Sequence, residues 1–209
     1  MKLLAFSDSH ASYQKHKEIV KYAQAQQASL LVCAGDFTNF SGFAVESLQV
    51  LSEAKLPLLL VPGNHDSKPG LLDDLCEQFP FVVMLDGRVK KVADVTFVGR
   101  GAVDWYRHYA FFEDPQGDKD NLDEICSHLD RHSHPLVLVS HIPPSGTLTA
   151  TERGNSEGGS PMIRSWVERL APDLVLCGHM HAVLEREDYI GTSWVVNVAC
   201  THRLFELGD

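Results

Sequence analysis

The 209-residue chain has no apolar run that approaches a membrane span. The apolar stretch at its start is too short for the core of a secretory leader, because Asp8 and His10 follow at once. These absences set the expectation of a cytoplasmic protein with no membrane partner. There is no Cys-x-x-Cys pair, and the five cysteines, Cys33, Cys76, Cys126, Cys177 and Cys200, are odd in number. Cys33 and Cys177 sit inside apolar runs, where cysteine behaves as a small hydrophobe. A reduced chain without a disulfide framework is therefore expected. Basic runs are also missing and the formal charge is −10. Nucleic acid is unexpected as the main partner, since that affinity comes mostly from Lys and Arg at phosphates. Bound divalent cations would add positive charge that a residue count leaves out. Internal repeats and long linkers are absent too, so residues 1–209 read as one domain.

Short apolar runs alternate with longer amphipathic stretches. The runs cover residues 3–6, 30–34, 58–61, 95–98, 136–139, 174–177 and 194–198, rich in Leu and Val with little alternation. Strands buried on both faces read this way. Helical spacing is predicted over 13–27, with Ser12 as N-cap, and over 43–54, 122–131 and 162–170, the last opened by Pro161 at its first position. Strands alternating with helices predict an α/β layered fold. Two stretches, 102–117 and 143–160, resist assignment. Loops of that length are more often functional than idle.

The polar residues that follow the apolar runs carry the chemistry. The first run ends in Ser7-Asp8-Ser9-His10, and the second in Gly35-Asp36. The third ends in Pro62-Gly63-Asn64-His65-Asp66, the fifth in Ser140-His141, and the sixth in Gly178-His179-Met180-His181. Each piece alone is most simply an ordinary turn, since Asp, Asn and His are common there. Five at equivalent topological positions in one short chain make chance the weaker explanation. The carboxyl ends of strands are where α/β sheets bind ligands, and parallel strands would bring all five groups to one edge. Aspartate, histidine and an asparagine oxygen suit divalent manganese, iron, zinc or nickel. No cysteine falls in these clusters, which argues against a structural zinc. Asp8, His10, Asp36, Asn64, His141, His179 and His181 make seven donors. That exceeds one tetrahedral ion and suits two ions completed by water. One Asp bridging both would hold them ~3.5–4 Å apart, as in two-metal hydrolytic sites.

The order Asp8-Ser9-His10, Gly35-Asp36, Gly63-Asn64-His65-Asp66, His141 and Gly178-His179-Met180-His181 resembles the calcineurin-like metallophosphoesterases. The motifs span residues 8–181. The resemblance implies a four-layered α/β/β/α sandwich with two mixed sheets. It implies that Asp8, His10 and His181 hold a first metal, that Asn64, His141 and His179 hold a second, and that Asp36 bridges them. It further implies that His65 binds no metal. His65 would instead act on the substrate, either as general acid to the leaving oxygen or as a cation beside the phosphoryl group. Asp66 would orient and charge it. Asn64 and His65 would also contact the substrate, a small phosphodiester or phosphomonoester.

Two departures stand out. Gly35-Asp36 continues as Phe37-Thr38-Asn39, where many members have a further acidic residue or Asn. The late strand reads Asn197-Val198-Ala199-Cys200, where many members have Asn-Pro-Gly-Ser. His141-Ile142-Pro143-Pro144 with a Gly159-Ser160 turn resembles a small single-domain prokaryotic branch. Arg107, His108 and Gly159 are lesser substrate-side candidates. The first two share a loop with Trp105 and Tyr106, which could stack a base or grip a phosphate, or pack on the sandwich edge.

Two other readings compete. Gly154-Asn155-Ser156-Glu157-Gly158 matches the nucleophile elbow of serine esterases, but that motif needs a strand before it, and residues 145–153 are polar. A non-catalytic interaction protein on the same fold is the other, weakened because every expected donor is present. Of the remaining histidines, His16, His128, His132 and His134 are expected at the surface. His202 lies on the last strand, within conceivable reach of the site.

Overall fold

The structure is a computed structural model that describes residues 1–40, 42–66, 71–102, 115–129, 135–151, 159–183 and 186–208. Eleven strands form two mixed sheets among these residues. The first has β1 (Lys2–Phe6), β2 (Leu30–Cys33), β3 (Leu58–Leu60), β4 (Val82–Met84) and β11 (His202–Glu206), in the order β11-β1-β2-β3-β4. Only β11 runs antiparallel to its neighbour. The second has β5 (Val89–Val92), β6 (Val95–Arg100), β7 (Leu136–Ser140), β8 (Leu174–Cys177), β9 (Glu187–Ile190) and β10 (Ser193–Asn197), in the order β5-β6-β7-β8-β10-β9. Its two edge strands, β5 and β9, are antiparallel and its four central strands parallel.

The pleat of each central strand explains the layers. In β1, Leu3 and Ala5 face the other sheet while Leu4 and Phe6 face helices. β7 does the same with Val137 and Val139 against Leu136 and Leu138. Successive side chains alternate between faces, and both faces are covered, so the run is apolar throughout. The helices α1 (Tyr13–Ala25), α2 (Ala44–Ser52) and α3 (Leu71–Gln78) cover the first sheet. α4 (Pro115–His128) and α5 (Pro161–Leu170) cover the second. The result is the expected α/β/β/α sandwich.

Local signals account for the helices that hold this arrangement. Ser12 caps α1 by accepting from the Lys15 N–H, and α1 buries His16, Ile19, Val20 and Ala23 at one-face spacing. His16 is thus fully buried, contrary to the expectation of a surface histidine. Its position in the buried stripe, three residues before Ile19, overrides its polarity. His128 is exposed as expected, and His132 and His134 lie outside the described residues. Ser160 caps α5 through the Ile163 N–H, and Pro161 opens the helix where no N–H is needed. All five cysteines are free, with Cys33 and Cys177 buried. No described helix is long and apolar enough to cross a membrane.

Candidate metal centre

The five polar groups converge, but from two stacked sheets and not one. β1, β2 and β3 deliver Asp8, His10, Asp36 and Asn64, while β7 and β8 deliver His141, His179 and His181. Cross-sheet hydrogen bonds lock the two carboxyl edges together. The His141 Nδ1–H donates to the Ala34 carbonyl at 2.8 Å, and the His179 N–H donates to Asp8 Oδ2 at 3.0 Å. Ser7 Oγ reaches the Ala34 and Gly35 carbonyls at 2.9 and 3.0 Å. Ser7 also bridges to Ala199 beyond β10. At Gly178 the sheets come close, since any Cβ there would collide with Ser7 Oγ and Asp8 Oδ2. Gly63 has the same reason to be glycine, because a Cβ would strike the Asp36 carboxylate.

Two donor groups form around Asp36. Asn64 Oδ1 lies 2.9 Å from His141 Nε2 and 3.0 Å from His179 Nδ1. Asp8 Oδ1 lies 2.8 Å from His181 Nε2 and 3.9 Å from His10 Nε2, and the two histidine Nε2 atoms are 3.4 Å apart. Asp36 Oδ2 stands between the groups, 3.5 Å from His141 Nε2 and 4.0 Å from His10 Nε2. Donor atoms of Asp8, His10 and His181 all lie within 4.8 Å of one another, as do those of Asp8, Asp36 and His141. His65 joins His10 and Asp36 at the same reach, so it sits against the cluster. Ring nitrogens, carboxylates and an amide oxygen brought this close form groups that could hold divalent cations. The His141 hydrogen bond to Ala34 takes up Nδ1 and leaves Nε2 facing the cluster, the usual way a histidine ligand is oriented.

Backbone strain marks the same residues. Asp8, His10, Asp36 and His179 have positive φ of 55°, 48°, 54° and 66°. Asp and His tolerate this region better than most residues, and such strain concentrates at functional sites. Electrostatics agree. Burial would raise the Asp8 carboxyl, but the hydrogen bond to His181 and the charge of His141 hold it well below the usual range. Burial pushes His10 and His179 down to about 4, so both rings are neutral donors near neutral pH. Burial would also lower His141, yet Asp36 and Asp8 together raise it. His181 is raised mainly by its hydrogen bond to Asp8.

Asp66 ties two loops of the site together. Its carboxylate accepts from the Asp36 N–H at 2.6 Å, the Gly63 N–H at 2.9 Å and the Thr38 N–H at 2.9 Å. Thr38 Oγ1 adds a fourth contact at 2.8 Å. This buried anchor sets the loop bearing Asp36 against the loop bearing Asn64, and its negative charge favours the cationic form of His65. Burial and the nearby Asp36 raise Asp66 itself to about 6. The Asp36 carboxylate in turn accepts the His65 N–H at 2.7 Å.

Two positioning residues were given no site role by the sequence, although Asn197 opens the late-strand segment Asn197-Val198-Ala199-Cys200. Asn197 is fully buried, and its amide donates to the Met180 and Thr149 carbonyls at 3.2 and 3.3 Å. It holds the segment that carries His179 and His181. The available signal is the lone Asn closing an apolar run. Lys15 is the other. Its Nζ donates to the Asp8 carbonyl at 3.1 Å and sets a positive charge against this turn. Gly159 has a packing reason for its identity. Its φ is +84° and a Cβ would clash with Ala150 and the Pro143 carbonyl, so the 159–160 turn braces the loop after His141. His202 stacks near Tyr22, 4.8 Å between centroids, and joins none of the donor groups found among the described residues. Arg107, His108 and the 154–158 elbow pattern lie outside the described residues.

Two stacked mixed sheets with Asp, His and Asn gathered at their common carboxyl edge define a fold and site of the metallophosphoesterase class. The family model for calcineurin-like phosphoesterases matches residues 1–183, and the chain belongs to that family. An uncharacterized protein of Methanocaldococcus jannaschii is 30% identical over 177 residues, which is 81% of this chain and 77% of the relative. A dimetal phosphatase from Danio rerio superposes with a TM-score of 0.65 at 11% identity, over 94% of this chain and 86% of that one. A structure described as a novel archaeal phosphodiesterase gives 0.55 at 12%, over 94% and 82%. At such identities the two structures share the fold alone.

Proposed function

We propose that this protein hydrolyses a small phosphoester with two divalent transition ions, held by the donors described above. Asp8, His10 and His181 would hold the first, Asn64, His141 and His179 the second, and Asp36 both. The observation that carries this reading is the position of Asp36 Oδ2 between two separate donor groups, 3.5 Å from His141 and 4.0 Å from His10. Family membership supports hydrolysis of a phosphoester, and the donor chemistry supports manganese, iron, zinc or nickel. When bound, such a pair lowers the pKa of a water and presents positive charge to phosphoryl oxygens.

The chain's own residues supply the rest. Asp66 fixes Asp36 and Asn64 relative to each other, which sets the spacing the two ions need. His65 stands 4.7 Å from the His10 ring and is half-buried, so it faces both the cluster and an incoming ester. A proton on His65 would be delivered to the leaving oxygen, and a charged ring would stabilise the negative charge that grows there. Burial holds His65 below the ordinary histidine value, and the Asp66 charge works against that shift.

The test is to load the protein with manganese and compare bis-p-nitrophenyl phosphate with p-nitrophenyl phosphate. Diester cleavage is expected, with about two metals per chain. Asp36→Asn should abolish turnover and lower metal content. His65→Ala should slow turnover by about 10²–10⁴-fold with metal content unchanged. Metal-replete wild-type protein that is inert on every phosphoester would overturn the proposal.

A further inference from the structure

On α1 the buried stripe runs His16, Ile19, Val20 and Ala23, and its first member is polar. His16 is fully buried, and among the described residues its Nδ1 has no hydrogen-bond partner. A buried nitrogen left unpaired costs stability that an apolar side chain of similar size would not. The other ring nitrogen, Nε2, lies 2.8 Å from Ser9 Oγ. Ser9 is itself buried and stands between two candidate metal donors, Asp8 and His10. A ring that costs stability and meets this particular turn fits a functional constraint better than a packing one.

The turn needs holding. Asp8, His10 and Ala11 all have positive φ, 55°, 48° and 57°. Residues other than glycine persist in that region only when their surroundings over-determine them. One anchor is the loop after β2: the Asp8, His10 and Ala11 N–H groups donate to the Gly35, Asp36 and Phe37 carbonyls at 3.0, 2.9 and 2.9 Å. The other anchor is α1. The Ser12 N–H donates to the Ser9 carbonyl at 3.0 Å, Lys15 Nζ donates to the Asp8 carbonyl, and His16 meets the Ser9 hydroxyl. The second donor group has other supports. His141 is oriented by the Ala34 carbonyl, and the loop that bears Asn64 is held by Asp66.

We infer that His16, acting through Ser9, is a positioning residue for the first metal: it holds the Asp8–His10 turn in the strained shape that lets both side chains reach one ion. This rests on the two-metal reading above. His16 touches neither ion nor substrate. Loss of its bond to Ser9 should weaken the first ion by about threefold to tenfold, the size of one net hydrogen bond, and leave the affinity for the second unchanged.

The test is calorimetric titration of the EDTA-treated full chain with manganese. His10→Ala and His179→Ala mark which binding step belongs to which donor group. Ser9→Ala and His16→Ala should each weaken the step that His10→Ala abolishes, by about threefold to tenfold, and leave unchanged the step that His179→Ala abolishes. The double variant should bind no more weakly than either single one, because both remove the same bond. His16→Gln, whose amide nitrogen can take the place of Nε2, should recover wild-type affinity. Urea unfolding in EDTA checks that each variant is folded, and Ser9→Ala, the smaller change, carries the test if His16→Ala is not. A ring that serves packing alone would lower stability while leaving both manganese steps unchanged or weakening both equally, and either result overturns the inference. Additive losses in the double variant overturn it too. Wild type that binds no manganese overturns the two-metal reading along with this one, whereas two ions bound without loss in Ser9→Ala overturn this one alone.

Discussion

Acid should unfold the metal-free protein partly through one histidine that no one would pick as catalytic. His16 is fully buried on α1, with its Nε2 2.8 Å from Ser9 Oγ. Burial first, and the charge of Lys15 second, lower it from the ordinary 6.5 to about 4. The unfolded chain therefore takes up this proton below about pH 6.5, while the folded protein refuses it until about pH 4. Stability from the neutral ring is complete above the upper value and is lost as pH falls towards the lower one. The full difference corresponds to ~3 kcal/mol, of which ~2 kcal/mol is gone by about pH 5. The comparison is urea unfolding in EDTA of wild type and His16→Gln at about pH 7 and about pH 5. Glutamine keeps a polar group for Ser9 and does not titrate. Histidines 10 and 179, also held low, are common to both proteins and cancel. The stability gap between the two proteins should change by ~2 kcal/mol in favour of the variant. That is about 1 M in urea midpoint for a slope of ~2 kcal/mol/M. A gap that stays constant with pH would refute the assignment of a neutral, acid-resistant His16.

Metal binding should release protons, because Asp8 and Asp36 raise His181 and His141 in the metal-free protein and a ligand ring must give its proton up. Manganese affinity should then rise from about pH 6 to about pH 8, and calorimetric heats should depend on the ionisation enthalpy of the buffer; buffer-independent heats would contradict this. Thr38→Val removes the hydroxyl that lies 2.8 Å from Asp66 Oδ1, at an expected cost of ~1–3 kcal/mol in urea unfolding. A loss below ~0.5 kcal/mol would mean that the Asp66 anchor does not depend on it.

Legibility in the sequence followed burial. Strands β1, β2, β3, β6, β7, β8 and β10 all stand out as apolar runs, and all are interior strands of their sheets. The four that the pattern misses, β4, β5, β9 and β11, are the four edges. Two of these edges are charged, β5 with Lys90 and Lys91 and β9 with Glu187 and Asp188, while β4 is a largely buried Val-Val-Met too short to stand out. Charged side chains of this kind discourage pairing with another chain, and they also erase the hydrophobic signal. The short helix α3 escaped for a related reason, since eight residues give little periodicity to read.

Residue types alone made the candidate donors and their order legible, because a residue type carries its chemistry wherever it is placed. Aspartate, histidine and asparagine after five apolar runs carry the chemistry of a candidate metal site. Tertiary structure alone decided that the donors come from two sheets and divide around Asp36, since strand order and sheet stacking leave no trace in local pattern. It alone turned Asp66 into an anchor for two loops, buried His16 and brought Asn197 beneath the last two histidines. Each of these depends on contacts between residues far apart in the chain, whose free energy is felt only when both partners are already in place.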